Sequence, residues 1–146
     1  MKILLRLAAA AVLSGCGLES NPLWLMMAVD KTVITMDDSV RVTLAVSNTS
    51  DRTVETHAES EYGPCLPGFE VTDEEGRQVH MFVVCSTELR AKVILQPGES
   101  FQVVTWWHPD ISRVGITPIG PGRYTMRGAV FGDNEIVRSG AFDILI

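Results

Sequence analysis

The fold of this chain is decided by the stretch VRVTLAVSNTSD, residues 40–51 of a 146-residue sequence. In a β-strand successive side chains point to opposite faces, so apolar residues at every second position share one face. The stretch closes with Asn-Thr-Ser-Asp at residues 48–51, a composition typical of a tight turn. We therefore predict a half-buried strand that ends in a polar turn. Its buried face is expected to carry Val40, Val42, Leu44 and Val46.

Short apolar or alternating runs continue on both sides of this strand, and none of them keeps a helical period. Turns rich in Gly, Pro, Asn and Asp separate them, including residues 96–99 and Gly76, where we expect a positive φ. This pattern predicts an all-β fold, an immunoglobulin-like antiparallel β-sandwich of about nine strands. The ten runs behind this count of about nine strands are residues 23–29, 32–36, 40–46, 53–58, 69–72, 78–84, 90–95, 101–107, 124–131 and 135–145.

The N-terminus has the order of residues that marks a secretory signal. Lys2 and Arg6 are followed by an apolar run, residues 7–13, and then by small residues that lead to Cys16. A positive segment, an apolar run and a small-residue cleavage site define such a signal. The run is shorter than the roughly 20 residues that a membrane-spanning helix needs. We therefore predict an export signal peptide over residues 1–15.

The four residues Leu13-Ser14-Gly15-Cys16 resemble the lipobox of bacterial lipoproteins. This resemblance implies that diacylglycerol is attached to the sulfur of Cys16 and that the signal is cut before it. It also implies that the new amino terminus can be acylated, with palmitate as an expected chain. Several acyl chains anchor a protein stably, whereas one chain binds only reversibly. An ordinary secretory peptide with a cysteine at this position by chance is the alternative.

The resemblance divides the chain into a signal peptide (1–15), a lipidated N-terminus with a short tether (16–22) and a folded domain (23–146). Gly17, rather than Asp, follows the cysteine, which by the resemblance favours the outer membrane where a cell has two. We expect a lipid anchor in the cell membrane or outer membrane, with the domain exposed to the periplasm or the exterior. The short tether would keep the domain near the membrane surface.

The charge of the expected mature domain is clearly negative. The whole chain has 12 basic and 18 acidic residues, and loss of Lys2 and Arg6 with the signal leaves 10 basic residues and a net charge of −8. Such a charge repels the phosphates of nucleic acids and of anionic lipid headgroups, so neither is an expected ligand.

Cys65 and Cys85 remain as a pair in an exported chain, where the compartment permits disulfides. We predict that they are bonded, closing a loop of about 20 residues and stabilising the fold by roughly 3 kcal/mol. Two free thiols are the alternative.

The sequence shows no pattern of catalytic or metal-binding residues. His57, His80 and His108 lie far apart, which favours structural or surface roles. The acidic run at residues 73–75 lacks the alternating ligands of a calcium loop and precedes Gly76, so we interpret it as a solvated hairpin tip. We expect no metal, no cofactor and no enzymatic activity.

The pair Trp106-Trp107 offers a candidate binding residue, because neighbouring side chains in a strand point to opposite faces. Trp107 is the predicted core residue, whereas Trp106 is expected to be partly exposed and to contact a partner protein. The alternative is that the neighbouring loop covers Trp106. Two loops, residues 108–122 with Arg113 and residues 59–68 with Cys65, are further candidates for partner contacts.

Several motifs together resemble the BsuPI-type intracellular proteinase inhibitor domain over roughly residues 24–145. They are Val-Ser-Asn-Thr-Ser-Asp at 46–51, Phe-Glu-Val-Thr-Asp at 69–73, Leu-Gln-Pro-Gly-Glu-Ser at 95–100 and Pro-Gly-Arg-Tyr-Thr at 121–125. They turn the chain and start strands, so they indicate the immunoglobulin-like scaffold more than an activity.

Two functions follow from these patterns. The favoured one is a non-enzymatic domain that binds an envelope protein through its loops and Trp106. The alternative, which the resemblance implies, is a proteinase inhibitor that blocks a serine protease by loop insertion, with Arg113 as the specificity residue.

Overall fold

The computed structural model describes residues 21–56, 59–60, 63–64, 67–82, 93–109, 119–131 and 136–146. All regular elements within these residues are strands. The described residues contain no helix that could span a membrane. The long strands, numbered in chain order, are Leu23–Val29 (β1), Val40–Asn48 (β2), Gly68–Thr72 (β6), Gln78–Phe82 (β7), Ser100–Trp107 (β9), Arg123–Phe131 (β10) and Ile136–Leu145 (β11). The strands of two residues are Val54–Glu55 (β3), Glu59–Ser60 (β4), Gly63–Pro64 (β5) and Ile94–Leu95 (β8).

The long strands form two antiparallel sheets that face each other. One sheet has the order β1-β2-β9 and the other the order β11-β10-β6-β7, while β3 pairs with β8 and β4 with β5. The chain crosses between the sheets, since β2 pairs with β9 and β6 pairs with β10. This arrangement is an immunoglobulin-like antiparallel β-sandwich. It confirms the fold class that the alternating strands predicted.

The core lies between the inner faces of the two sheets. The alternation at residues 40–46 is confirmed, because its four apolar side chains are completely buried in β2. Each such side chain stabilises the fold by roughly 1.5–3 kcal/mol relative to an exposed position. Other strands supply the side chains that complete this core, among them Leu25, Phe69, Val71, Met126, Val130 and Ile144.

The strand predicted at residues 32–36 is replaced by a connection from β1 to β2 of the same sheet, which reaches the opposite sheet on its way. Val33 forms an isolated parallel bridge with Leu145 at the end of β11. The chain turns directly afterwards, because the Asp38 carboxylate accepts hydrogen bonds from the Thr35 backbone N–H at 2.9 Å and from its hydroxyl at 3.0 Å. These residues therefore link β1 and β2 and protect part of the β11 edge.

Two other predicted strands are shorter than expected within the described part of the chain. The run at 53–58 contributes β3 and the run at 90–95 contributes β8, and these two strands pair with each other. The segment 59–68, expected as a loop, contains the paired β4 and β5.

The polar turn predicted at residues 48–51 is confirmed and is organised by Asn48, whose side chain is buried. Its amide nitrogen donates to the carbonyl oxygens of Arg52 at 2.7 Å and Leu95 at 3.0 Å. Its Oδ1 atom accepts the Ser50 backbone N–H at 2.9 Å. A buried amide with satisfied partners favours one arrangement of the chain, so Asn48 fixes the end of β2 against β8.

Tyr124 fixes the entry into β10. Its hydroxyl donates to the Gly120 carbonyl oxygen at 2.8 Å and accepts the Gly120 backbone N–H at 3.2 Å. The buried ring meets the ring of Trp107 edge-on, with 6.5 Å between centroids. A tyrosine that returns its hydroxyl to the preceding turn is a known feature of immunoglobulin-like sandwiches.

Candidate binding surface

The orientation predicted for Trp106 and Trp107 is confirmed. Trp107 points into the core and is 1% exposed, whereas Trp106 points away from it and is 51% exposed. The alternative, in which the neighbouring loop covers Trp106, concerns residues 110–118, which lie outside the described residues. Trp106 stands near the end of β9, on the side of the three-stranded sheet that faces away from the sandwich.

Further exposed apolar side chains lie on the same side of this sheet. Trp24 and Met26 of β1 are 61% and 54% exposed, and Val104 of β9 is 48% exposed. We call Trp24, Met26, Val104 and Trp106 the outer apolar face. Large apolar side chains grouped on a surface are typical of binding sites, whereas single ones are common on any protein.

The strand register places the four side chains along one elongated strip. Met26 lies opposite Ala45 of β2, and Val104 lies opposite Thr43, so small side chains fill the middle of the strip. The strip runs from the level of Trp24 to that of Trp106, a separation of about 20 Å along the strands.

β2 contributes a charged residue, Arg41, to this strip, and Arg41 lies directly opposite Trp106 of β9. Its side chain is exposed. Tryptophan and arginine are the residue types that most often dominate the energy of protein–protein interfaces. The end of the strip with Trp106 therefore combines both in one cross-strand pair.

Sequence reasoning located Trp106 but missed Trp24 and Met26. The signal was present, because β1 alternates large residues on both faces, with Leu23, Leu25 and Met27 buried and the residues between them exposed. A strand that is apolar on both faces usually lies between two layers. Here one of the two faces has no covering layer in the described structure.

Other predicted site residues cannot be placed on this surface. The lipidation site Cys16, the cysteines Cys65 and Cys85, and the loop residue Arg113 lie outside the described residues. The structure therefore leaves the lipid anchor, the disulfide and the inhibitory loop as predictions.

Two of the three histidines fall in described segments. His80 on β7 is buried and stacks on Phe69 of β6, with 5.6 Å between ring centroids. His108 is exposed directly after β9. In the part of the chain that the structure describes, no three His, Cys, Asp or Glu side chains come together as a metal site would require.

The acidic run at residues 73–75 forms the tip of the β6–β7 hairpin, as predicted. Asp73 accepts the backbone N–H of Arg77 at 2.8 Å and its Nε–H at 2.7 Å, while Arg77 also pairs with Glu75 at 3.2 Å. Gly76 completes the turn with a φ of 76°. A surface cavity of about 210 Å³ lies beside this tip. The single positive charge of Arg77 is thus already paired with Asp73 and Glu75 within the tip.

Comparison with known proteins supports the fold and goes no further. No protein-family model matches the sequence, and no curated protein has a significantly similar sequence. Many solved structures share its fold.

The alkylpurine DNA glycosylase AlkC of Pseudomonas fluorescens matches with a TM-score of 0.54 and 12% identity, over 86% of this chain and 30% of its own. The β-glucosidase of Listeria innocua matches with a TM-score of 0.54 and 14% identity, over 86% of this chain and 16% of its own.

The sporulation control protein Spo0M of Bacillus subtilis matches with a TM-score of 0.52 and 12% identity, over 86% of this chain and 49% of its own. This chain thus spans half or less of each of these three proteins. At such low identity the likeness is one of fold. The chain is similar to domains that serve unrelated proteins as an all-β sandwich.

Proposed function

We propose that this chain is a lipid-anchored, non-enzymatic protein-binding module of the bacterial cell envelope, and that it binds its partner with the outer apolar face. The observation that carries the proposal is the exposure of two tryptophans, Trp24 and Trp106, on one sheet surface. A tryptophan at the centre of an interface commonly contributes 2 kcal/mol or more to binding.

The composition of the strip fits a protein partner better than a charged ligand. Between the two tryptophans it offers Met26, Ala45 and Val104 beside the uncharged polar residues Thr43 and Gln102, with Arg41 at one end, whereas the expected mature domain has a net charge of −8. Interface cores are depleted of charge and enriched in aromatic residues, methionine and arginine. The strip has that composition on an otherwise acidic domain.

The expected anchor restricts where the partner lies. If lipid is attached at Cys16, residues 17–22 reach at most about 20 Å when fully extended. The domain begins with β1, and Trp24 is its second residue. A partner of the outer apolar face would therefore be a membrane protein or a protein held close to the membrane.

The test is capture of partners by the full-length chain in its own cells, with the unchanged protein, a Trp24→Ser variant and a Met81→Ser variant compared. Met81 is exposed on β7, in the other sheet, and so serves as the matched control. We expect Trp24→Ser to reduce recovery of a specific partner by about tenfold or more, because the loss of an interface tryptophan commonly weakens binding by about 1.4 kcal/mol or more.

The control should recover the partner at the level of the unchanged chain. Equal recovery by Trp24→Ser and the unchanged chain would exclude the outer apolar face as the binding surface. Lower recovery by both variants would indicate that the other sheet takes part and would also contradict the proposal.

A further inference from the structure

Among the described residues β9 is an edge strand, and its own sequence lacks the features that usually protect such an edge. It pairs with β2 on one side, and within the described residues it has no neighbour on the other. Its sequence, SFQVVTWW, contains no charged residue and no proline. Natural proteins normally place lysine, proline or a bulge on an exposed edge, because a free row of backbone groups pairs with other strands.

The free backbone groups of β9 can be assigned from its pairing. Asn48 of β2 donates its N–H to the Glu99 carbonyl oxygen at 2.9 Å, so odd-numbered residues of β9 bond to β2. In an antiparallel ladder the alternate residues direct both the N–H and the C=O away from that partner. The outward peptide groups therefore belong to Ser100, Gln102, Val104 and Trp106.

The apolar side chains on the inner side of β9 are also incompletely covered. Phe101 and Val103 face the core but are only half-buried, whereas Leu23, Leu25 and Met27 at the opposite edge of the same sheet are fully buried. That opposite edge, β1, packs against β10 and β11 of the facing sheet. β9 is thus the edge at which added structure would bury further apolar surface.

We infer that β9 pairs with β9 of a second copy of this chain, about a two-fold axis through Val104. This register joins Val104 to Val104, and Gln102 to Trp106, across the axis. It confines the new ladder to residues 100–108, which contain no Asp, Glu, Lys or Arg. A register centred on Val103 would draw Glu99 into the ladder.

A symmetric pair fits both the charge and the geometry of this edge. The strand is uncharged on a domain that is otherwise acidic, so the new ladder itself places no charged side chain opposite a like charge. A two-fold axis pairs the same surface of both copies, the commonest symmetry of soluble oligomers. The two sheets would join into one continuous sheet of six strands, with the outer apolar faces side by side.

The register is tested by single cysteines placed on β9 of the full-length chain in its membranes. Two residues opposite each other in a hydrogen-bonded antiparallel pair have Cα atoms about 5.5 Å apart, within disulfide range. Val104→Cys should form a covalent dimer under mild oxidation. Gln102→Cys alone and Trp106→Cys alone should not, since like positions then lie roughly 13 Å apart.

A mixture of the Gln102→Cys and Trp106→Cys chains supplies a sharper test, because the two positions lie opposite each other across the axis. We expect the mixture to form a covalent dimer that neither variant forms alone. The chain without substitutions is oxidised in parallel and shows how much covalent dimer its own cysteines form. Equal dimer yields from all three single variants, no dimer from Val104→Cys, or an adduct with another protein alone would overturn the inference.

A second measurement does not depend on oxidation. Val104→Lys places two like charges on the axis and should weaken dimerisation tenfold or more in sedimentation of the detergent-solubilised chain. Ala28→Lys lies in the same row at the opposite edge of the sheet and should leave the dimer intact.

A chain that is monomeric without any substitution would overturn the inference. It would leave the proposed partner binding untouched, since that is measured through Trp24. Failure of the Trp24→Ser test would in turn leave the dimer measurements unaffected.

Discussion

Gly128 of β10 allows the two sheets to approach each other closely. A Cβ atom at this position would lie 2.8 Å from Leu44 Cδ2, 3.0 Å from Ser139 Oγ and 3.3 Å from Leu25 Cδ2. The register between β10 and β11 shifts here, and the buried Ser139 hydroxyl accepts the Gly128 N–H at 2.8 Å. The absence of a side chain is therefore a packing requirement at this residue.

We expect Gly128→Ala to destabilise the domain by about 1–3 kcal/mol, because the added methyl group overpacks the contact between the sheets. The free energy of unfolding in urea is the measurement. Gly140→Ala on β11 is the matched control, since a Cβ atom there meets nothing within 4 Å. An equal loss of stability in both variants would show that backbone conformation, rather than the close approach, decides the cost.

At the scale of the elements, the β6–β7 hairpin is held by a carboxylate at its tip. Burial under the turn tends to raise the pKa of Asp73, but hydrogen bonds from the Arg77 backbone and side chain outweigh it, so the net pKa is lowered from its ordinary value of 3.8. The carboxylates of Asp73 and, to a smaller extent, Glu75 raise the pKa of the Arg77 guanidinium. The ionised form of Asp73 is thus the one that stabilises the hairpin.

A lowered folded pKa means that Asp73 stabilises the domain above pH 3.8 and that this contribution is lost as the pH falls through the folded value. We expect Asp73→Asn to be less stable than the unchanged domain at pH 6, with the difference shrinking toward zero below pH 3.8. Urea midpoints measured from pH 6 downward give the comparison. Asp51→Asn, in the exposed turn after β2, is the control for the removal of one surface carboxylate.

At the scale of the whole molecule, the proposed binding surface depends on the proposed anchor. The sandwich begins at β1, directly after residues 17–22, so the outer apolar face would be presented close to the lipid. A dimer through β9 would double that face and carry two anchors. Two linked binding sites strengthen attachment without any new contact, because the second binding step becomes intramolecular.

We expect Cys16→Ala to abolish labelling of the chain by an alkyne analogue of palmitate and to leave either an unprocessed precursor or a released domain. Membrane fractionation and metabolic labelling of the full-length chain measure both effects. Cys65→Ala should keep the label, which separates lipidation at Cys16 from acylation at another cysteine. A Cys16→Ala chain that is still labelled and still cut at the same position would refute the anchor.

Local patterns in the sequence were enough to predict the fold class of this protein. Alternation in β2 placed four side chains in the core, and the turn residues at 48–51, 73–76 and 96–99 located the reversals correctly. These features are local, because the period of a strand and the conformation of a turn depend on neighbouring residues. The opposite orientations of Trp106 and Trp107 followed from the same local geometry.

Tertiary structure alone decided which surfaces are left uncovered. The sequence could not reveal that 32–36 contacts the opposite sheet, since its bridge to Leu145 joins residues more than a hundred positions apart. Nor could it show that β9 has a neighbour on one side only within the described part of the chain, or that Trp24 and Met26 share a face with Trp106. Pairing partners and layer order are set by long-range packing, and the binding surface of this protein is a product of that packing.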